Sequence, residues 1–169
     1  MFKRVLIANR GEIAVRIIRA CQEMDIETVA VYSAADANAL HVQLADIACP
    51  IGAADAADSY LNMAAILEAA RSSGADAIHP GYGFLSESAD FADQAAAAGL
   101  TWIGPLAETI RQVGDKDIAR AAMVPSGIPM AKGSEPLTSN EMALEAAEET
   151  GYPVILKPVA GGGGKGMFV

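Results

Sequence analysis

Near the end of the chain, Val154-Ile155-Leu156-Lys157-Pro158-Val159-Ala160-Gly161-Gly162-Gly163-Gly164-Lys165-Gly166-Met167 sets two lysines among five glycines. Backbone without Cβ atoms accepts positive φ and close approach, so successive N–H groups can converge on one anion. Ordering each glycine costs about 0.5–1 kcal/mol relative to alanine. Charge-assisted hydrogen bonds of about 1.5–3 kcal/mol each offset that only when a strongly anionic group is present. The chemistry that fits is a loop that is mobile when empty and closes over phosphates. A flexible linker is the competing reading, and the two ammonium groups weigh against it. The P-loop pattern fails, because Gly166 follows Lys165 where Ser or Thr is required. Gly161, Gly163 and Gly166 satisfy G-x-G-x-x-G, a match that a glycine run yields cheaply.

A second stretch, His79-Pro80-Gly81-Tyr82-Gly83-Phe84-Leu85-Ser86-Glu87, gathers a histidine, a tyrosine between glycines and an acid. It follows an expected strand, and in parallel sheets ligands collect at strand carboxyl ends, so it reads as a binding loop. Tyr82 is either an exposed contact residue or a lid over the sheet edge. His79 and His41 read as structural, hydrogen-bonded histidines. Lys116, in Gly114-Asp115-Lys116-Asp117, reads by itself as a surface lysine at a helix start, paired with a neighbouring aspartate.

These stretches need a scaffold, and the pattern supplies one. Val5 to Ala8 reads as a buried strand, Asn9-Arg10-Gly11 as a tight turn, and Glu12 to Gln22 as a helix with Ile13, Ile17 and Cys21 facing inward. Strands follow at Glu27–Tyr32, Ile47–Cys49, Ala75–His79 and Thr101–Ile103. Between them lie a helical turn at His41–Ala45 and helices at Leu61–Arg71 and Ser88–Ala98. Strand and helix alternating with short connections predict an α/β fold, a Rossmann-like open parallel sheet with helices on both faces. The first strand-to-helix turn has only Gly11, so no NAD fingerprint is present. A helical pattern from Ala107 is interrupted at Gly114. Thr138 with Glu141 fits a capping box that opens a helix to Thr150. That helix, a strand ending in Lys157, the glycine loop and a strand from Met167 form a second, unfinished unit. The expected division is 1–114 and 115–169.

Charge narrows the partners. Twelve basic and twenty-one acidic residues give a net charge of −9, which disfavours nucleic acid and anionic membrane surfaces. The apolar share of 52% supports a real core. Cys21 and Cys49 are too few for a disulfide framework or zinc site and read as buried thiols. No metal site is expected from these residues. The apolar run Val5–Ala8 is too short for a signal peptide or a membrane span, so a cytoplasmic protein is expected. On the first helix, Glu12, Arg16, Arg19 and Glu23 form a polar stripe. It is either a solvated face of i,i+4 pairs or a self-association surface, since alternating charge can complement itself about a two-fold axis.

Taken together, Ile7-Ala8-Asn9-Arg10-Gly11-Glu12-Ile13-Ala14, His79 to Glu87, Gly114-Asp115-Lys116, and Ile155-Leu156-Lys157 leading into Gly161–Met167 resemble, at matching spacings, the start of the biotin carboxylase family. These are the ATP-grasp components of biotin-dependent carboxylases such as acetyl-CoA carboxylase. The resemblance covers all 169 residues. It implies a Rossmann-like domain followed by the incomplete start of an ATP-grasp domain. It also implies that MgATP activates bicarbonate for carboxylation of biotin on a carrier protein or domain. Lys116 and Lys157 would then contact ATP phosphates, with Gly161, Gly162, Gly163, Gly164 and Gly166 forming the flap. Tyr82 and Glu87 would line the carboxylation site, and the helix face with Arg16, Arg19 and Glu23 would form a homodimer surface. The family's magnesium-binding acids and its basic residues for bicarbonate and biotin fall after Val169, so the chain is expected to be an N-terminal part that is inactive alone.

Overall fold

Val5, Leu6 and Ile7 are apolar without alternation, as a strand covered on both faces requires. In the computed structural model they lie in the central strand of a five-stranded sheet. The structure describes residues 2–114, 119, 123, 125, 127–129, 132–158 and 166–169. The chain divides into two compact units, Met1–Arg111 and Gln112–Val169.

In the first unit β1 (Arg4–Ile7), β2 (Glu27–Ser33), β3 (Ile47–Gly52), β4 (Ala77–His79) and β5 (Thr101–Trp102) pair in parallel. Their order is β3-β2-β1-β4-β5. The connections hold α1 (Gly11–Glu23), α2 (Leu40–Leu44), α3 (Met63–Ser73) and α4 (Ala89–Ala97), and α5 (Ala107–Gly114) follows β5. This is the expected Rossmann-like α/β arrangement. Successive side chains of a strand point to opposite faces. Leu6 therefore packs with Val29, Ile66, Ile78 and Phe91 on one side, while Val5 and Ile7 pack with Ala14, Ile17 and Ile18 of α1 on the other. Burying each of the large side chains stabilises the fold by about 1.5–3 kcal/mol.

Helix starts follow from side-chain caps. Asn62 accepts from the Ala65 amide at 3.1 Å, so α3 opens at Met63 and not at Leu61 as its apolar pattern suggested. At its other end Gly74, in the left-handed region, closes the helix with its N–H on the Ala70 and Arg71 carbonyls. Aspartates tie the amino edge of the sheet. The Asp76 carboxylate accepts from the Lys3 and Arg4 amides at 2.8 and 3.0 Å, and Asp46 accepts from the amide and hydroxyl of buried Thr28 at 2.8 and 2.7 Å. The Thr28 bonds hold Asp46 below the usual carboxylate range. Burial pushes Asp76 up, but the two amides outweigh it and leave that group low as well. Cys21 is buried as expected. Cys49 is only half-buried, because β3 is an edge strand.

In the second unit α6 (Asn140–Thr150) is capped by Ser139, whose Oγ accepts from the Met142 amide at 3.2 Å. The cap is thus one residue later than the Thr138–Glu141 box expected, and the Thr138 hydroxyl instead meets Met142 Sδ at 3.4 Å. Val154–Leu156 does not form the expected strand. Among the described residues only Leu156 pairs, in an isolated antiparallel bridge with Phe168. No helix among the described residues is long and apolar enough to cross a membrane.

His41 is 1% exposed on α2; its Nε2 lies 3.3 Å from the Val31 carbonyl, and Nδ1 has no partner. Burial holds His41 and His79 below the ordinary imidazole range. The unfolded chain therefore binds protons that the native chain refuses, so this stability is complete above pH ~6.5 and is lost as pH falls below it. Urea midpoints of the wild-type chain should accordingly drop between pH 7.5 and 5.5, while His41→Gln, which keeps a donor for Val31, should flatten the slope. Equal slopes for both proteins would rule out the histidine as the cause.

Candidate functional site

Strand order reverses on either side of β1, which leads one crossover toward β2 and the other, through β3, back to β4. In parallel sheets that reversal leaves a crevice at the strand carboxyl ends. Here the last backbone link is Ala8 N–H to the His79 carbonyl at 2.9 Å, after which the two chains diverge. Asn9, 3% exposed, spans the gap. Its Nδ2 donates to the Pro80 carbonyl at 2.7 Å and the Tyr82 carbonyl at 2.8 Å, while Oδ1 accepts from the Arg10 amide at 2.9 Å. Both amide protons and the oxygen are satisfied, so the residue is a fixed bracket.

The loop after β4 is shaped around that bracket. Gly81 has φ +68°, and a Cβ there would stand 2.8 Å from Asn9 Nδ2. Its N–H donates to His79 Nδ1 at 3.0 Å, so His79 orders the loop, as the sequence suggested. Tyr82 is 62% exposed and donates its hydroxyl to Glu12 Oε2 at 3.0 Å, an arrangement that raises the phenol's pKa through the adjacent carboxylate. Of the two readings of Tyr82, exposure favours the contact residue. Gly83 and Phe84 both have positive φ, 65° and 45°, and Leu85 anchors the following turn at 4% exposure. Glu87 is exposed and has no ion-pair partner among the described residues.

Four residues that the sequence did not single out, Arg10, Asp36, Tyr60 and Ser33, meet at the same edge. Asp36 Oδ2 accepts from the Tyr60 hydroxyl at 2.7 Å, Ser33 Oγ at 2.9 Å and Arg10 Nη1 at 3.2 Å. Burial pushes this carboxyl up, but the three donors outweigh it and hold the group below its ordinary range. Burial, with the neighbouring carboxylate, pushes the Tyr60 phenol up to about 12. The Arg10 guanidinium lies 5.4 Å from the Tyr60 ring centre and 5.7 Å from that of Phe84. The only hint in the sequence was an arginine in a strand-end turn.

In the second unit Lys157 is exposed beside the Leu156–Phe168 bridge, whose two N–H···O bonds are 2.7 and 3.1 Å. Gly166 has φ +76°, and a Cβ on it would crowd Pro158 Cγ at 3.3 Å. Lys116 and Gly161 to Gly164 lie outside the described residues. On the first unit, Arg16, Arg19 and Glu23 are exposed along α1. Among the described residues they form none of the i,i+4 pairs that their spacing allows. A groove of 440 Å³ runs along that face, lined by Glu12, Val15, Arg16, Arg19, Ala20 and Glu23. Among the described residues no three His, Cys, Asp or Glu side chains are grouped to hold a metal ion.

Comparison with known proteins matches residues 1–110 to the family described as biotin carboxylase, N-terminal domain. Residues 115–169 match the carbamoyl-phosphate synthase L chain, ATP binding domain. The chain is 56% identical over 170 residues to biotin carboxylase 1 of Bacillus subtilis (strain 168), covering 100% of this chain and 38% of that one. It is 52% identical over 168 residues to the mitochondrial methylcrotonoyl-CoA carboxylase subunit alpha of Oryza sativa subsp. japonica, covering 99% and 23%. Among solved structures, the biotin carboxylase complex with β-γ-ATP from Campylobacter jejuni superposes with a TM-score of 0.95 at 47% identity, covering 99% of this chain and 38% of that one. The biotin carboxylase domain dimer of Hydrogenobacter thermophilus 2-oxoglutarate carboxylase, in complex with MgADP, ADP and bicarbonate, gives 0.94 at 48%, covering 99% and 37%. The chain therefore spans less than two fifths of the length of these relatives.

The Asn9 bracket makes a quantitative prediction. Asn9→Ala leaves two inward carbonyls without donors and should lower stability by about 1–3 kcal/mol. Asn9→Asp should cost more than Asn9→Ala, because a carboxylate would then face two carbonyl oxygens. Denaturant titration of the three proteins checks the order, and an Asp variant as stable as wild type would overturn the bracket.

Proposed function

The chain belongs to the biotin carboxylase family, and from that membership we propose that it is part of an ATP-dependent ligase that carboxylates biotin on a carrier protein or domain with bicarbonate. In that reaction bicarbonate takes the γ-phosphoryl group of ATP and ADP leaves; the ureido nitrogen of biotin then loses its proton and takes the carboxyl group of the resulting carboxyphosphate, with release of inorganic phosphate. Phosphoryl transfer needs little covalent help from a protein; positioning and neutralisation of the phosphate oxygens carry it. We assign that work to Lys116 and Lys157, with Gly161 to Gly164 and Gly166 closing over the triphosphate. The observation that supports this most directly is the reciprocal Leu156–Phe168 bridge, which joins the described ends of the glycine stretch with Lys157 beside it. Magnesium accompanies ATP in such reactions, and among the described residues no three His, Cys, Asp or Glu side chains are grouped to hold it.

Tyr82 and Glu87, both exposed on the loop after β4, are assigned to the lining of the carboxylation site. The proposed division of labour is residues 1–114 for that loop and for self-association, and 115–169 for phosphate. Homodimerisation through Arg16, Arg19 and Glu23 is supported by their exposure without ion-pair partners among the described residues, and by the dimeric state named for the Hydrogenobacter domain. A cytoplasmic location fits the use of ATP and bicarbonate.

Two experiments on the full-length carboxylase test these assignments. Lys116→Met and Lys157→Met should each reduce kcat/KM for ATP roughly ten- to a hundredfold, the loss of one charge-assisted bond of about 1.5–3 kcal/mol; unchanged ATP kinetics would remove both lysines from the site. Arg19→Glu should shift the sedimenting species from dimer toward monomer, and an unshifted dimer would place its interface elsewhere.

A further inference from the structure

We propose that Arg10 is a positioning residue for the reaction inferred above, on which this assignment rests. Its guanidinium is not assigned to any substrate; it clamps Phe84, and through Phe84 it sets the loop that carries Tyr82 and Glu87.

The need for a clamp comes from the backbone. Gly83 and Phe84 are consecutive residues with positive φ, and for a phenylalanine that region is unfavourable. The loop's own preferences do not select this shape, so tertiary contacts must impose it. Asn9 fixes the loop before Tyr82, through the Pro80 and Tyr82 carbonyls. Beyond Tyr82 the corresponding hold is on the Phe84 ring, which stacks on Tyr60 with centres 5.3 Å apart and planes 21° from parallel.

Tyr60 is itself immobilised. At 1% exposure, its hydroxyl donates to Asp36 and accepts from the Ser33 amide at 3.0 Å. Arg10 completes the assembly by lying near the faces of both rings while one nitrogen reaches the same Asp36 oxygen. A planar cation can satisfy two rings and a carboxylate together, which a lysine ammonium does less well. The connections after β1, β2, β3 and β4 are thereby joined through four side chains, Arg10, Asp36, Tyr60 and Phe84. Arg10 keeps 46% of its side chain exposed, so its contribution to the core is small and its removal should loosen the loop more than the fold.

The test uses the full-length carboxylase with Arg10→Met, Arg10→Lys and Tyr60→Phe. Arg71→Met serves as the control, because among the described residues that exposed arginine's side chain pairs only with Glu68 on its own helix. Arg10→Met should speed amide hydrogen exchange in residues 80–87. It should also lower kcat/KM for biotin or bicarbonate about tenfold while the KM for ATP stays within about twofold. Arg10→Lys should recover part of that loss, and Tyr60→Phe, which keeps the ring stack but frees it from Asp36, should show a smaller loss of the same kind. Unchanged exchange in Arg10→Met overturns the assignment, as does a loss shared equally by all substrates or matched by Arg71→Met. If Arg10→Met does not fold, Tyr60→Phe decides alone on the same readouts. Failure of the parent reading looks different: wild-type enzyme without biotin-dependent turnover would sink the proposed reaction, while the exchange result would still judge the clamp.

Discussion

A parallel sheet must end somewhere, and its backbone groups still need partners where it ends. At the carboxyl edge between β1 and β4 that requirement is met by one buried side chain, the amide of Asn9. Because the strands diverge there, no further ladder bond can form, and the carbonyls of Pro80 and Tyr82 point inward toward the gap. An amide is the side chain that can donate twice and still accept once. The positive φ of Gly81 and the exposure of Tyr82 follow from it, and so does the closeness of the two strand-end loops.

The two edges of the sheet are held by the same physics with different side chains. At the amino edge, Asp76 and Asp46 accept from backbone and hydroxyl donors and are held as carboxylates. At the carboxyl edge, Asp36 gathers a tyrosine, a serine and an arginine. Of these three acids, Asp36 alone is linked to a cation that also contacts aromatic rings, so among the described residues its charge joins several loops.

What the sequence revealed depended on the range of the interaction that decided each feature. The strand and helix alternation was legible because period and length are local properties. The loop from His79 to Glu87 was legible for the same reason, since residue type and position after a strand suffice. The start of α6 was misplaced by one residue because Thr138 and Ser139 are both good caps, and only the path of the chain chose Ser139. Val154-Ile155-Leu156 has strong strand propensity yet makes a single bridge, because propensity builds a sheet only with strands to pair with, and the described residues of this unit supply none.

By itself, then, the sequence determined a doubly covered parallel sheet and a loop at the end of β4. Its motifs in register also pointed to the family to which the chain belongs. Only the tertiary structure decided that Asn9 brackets that loop, that Glu12 receives the Tyr82 hydroxyl, and that Arg10, Asp36, Tyr60 and Phe84 converge. Those residues are 24 to 74 positions apart or lie on different connections, and no periodicity links them. Their meeting is fixed by strand order, which brings together the ends of β1, β2, β3 and β4 only once the sheet is assembled.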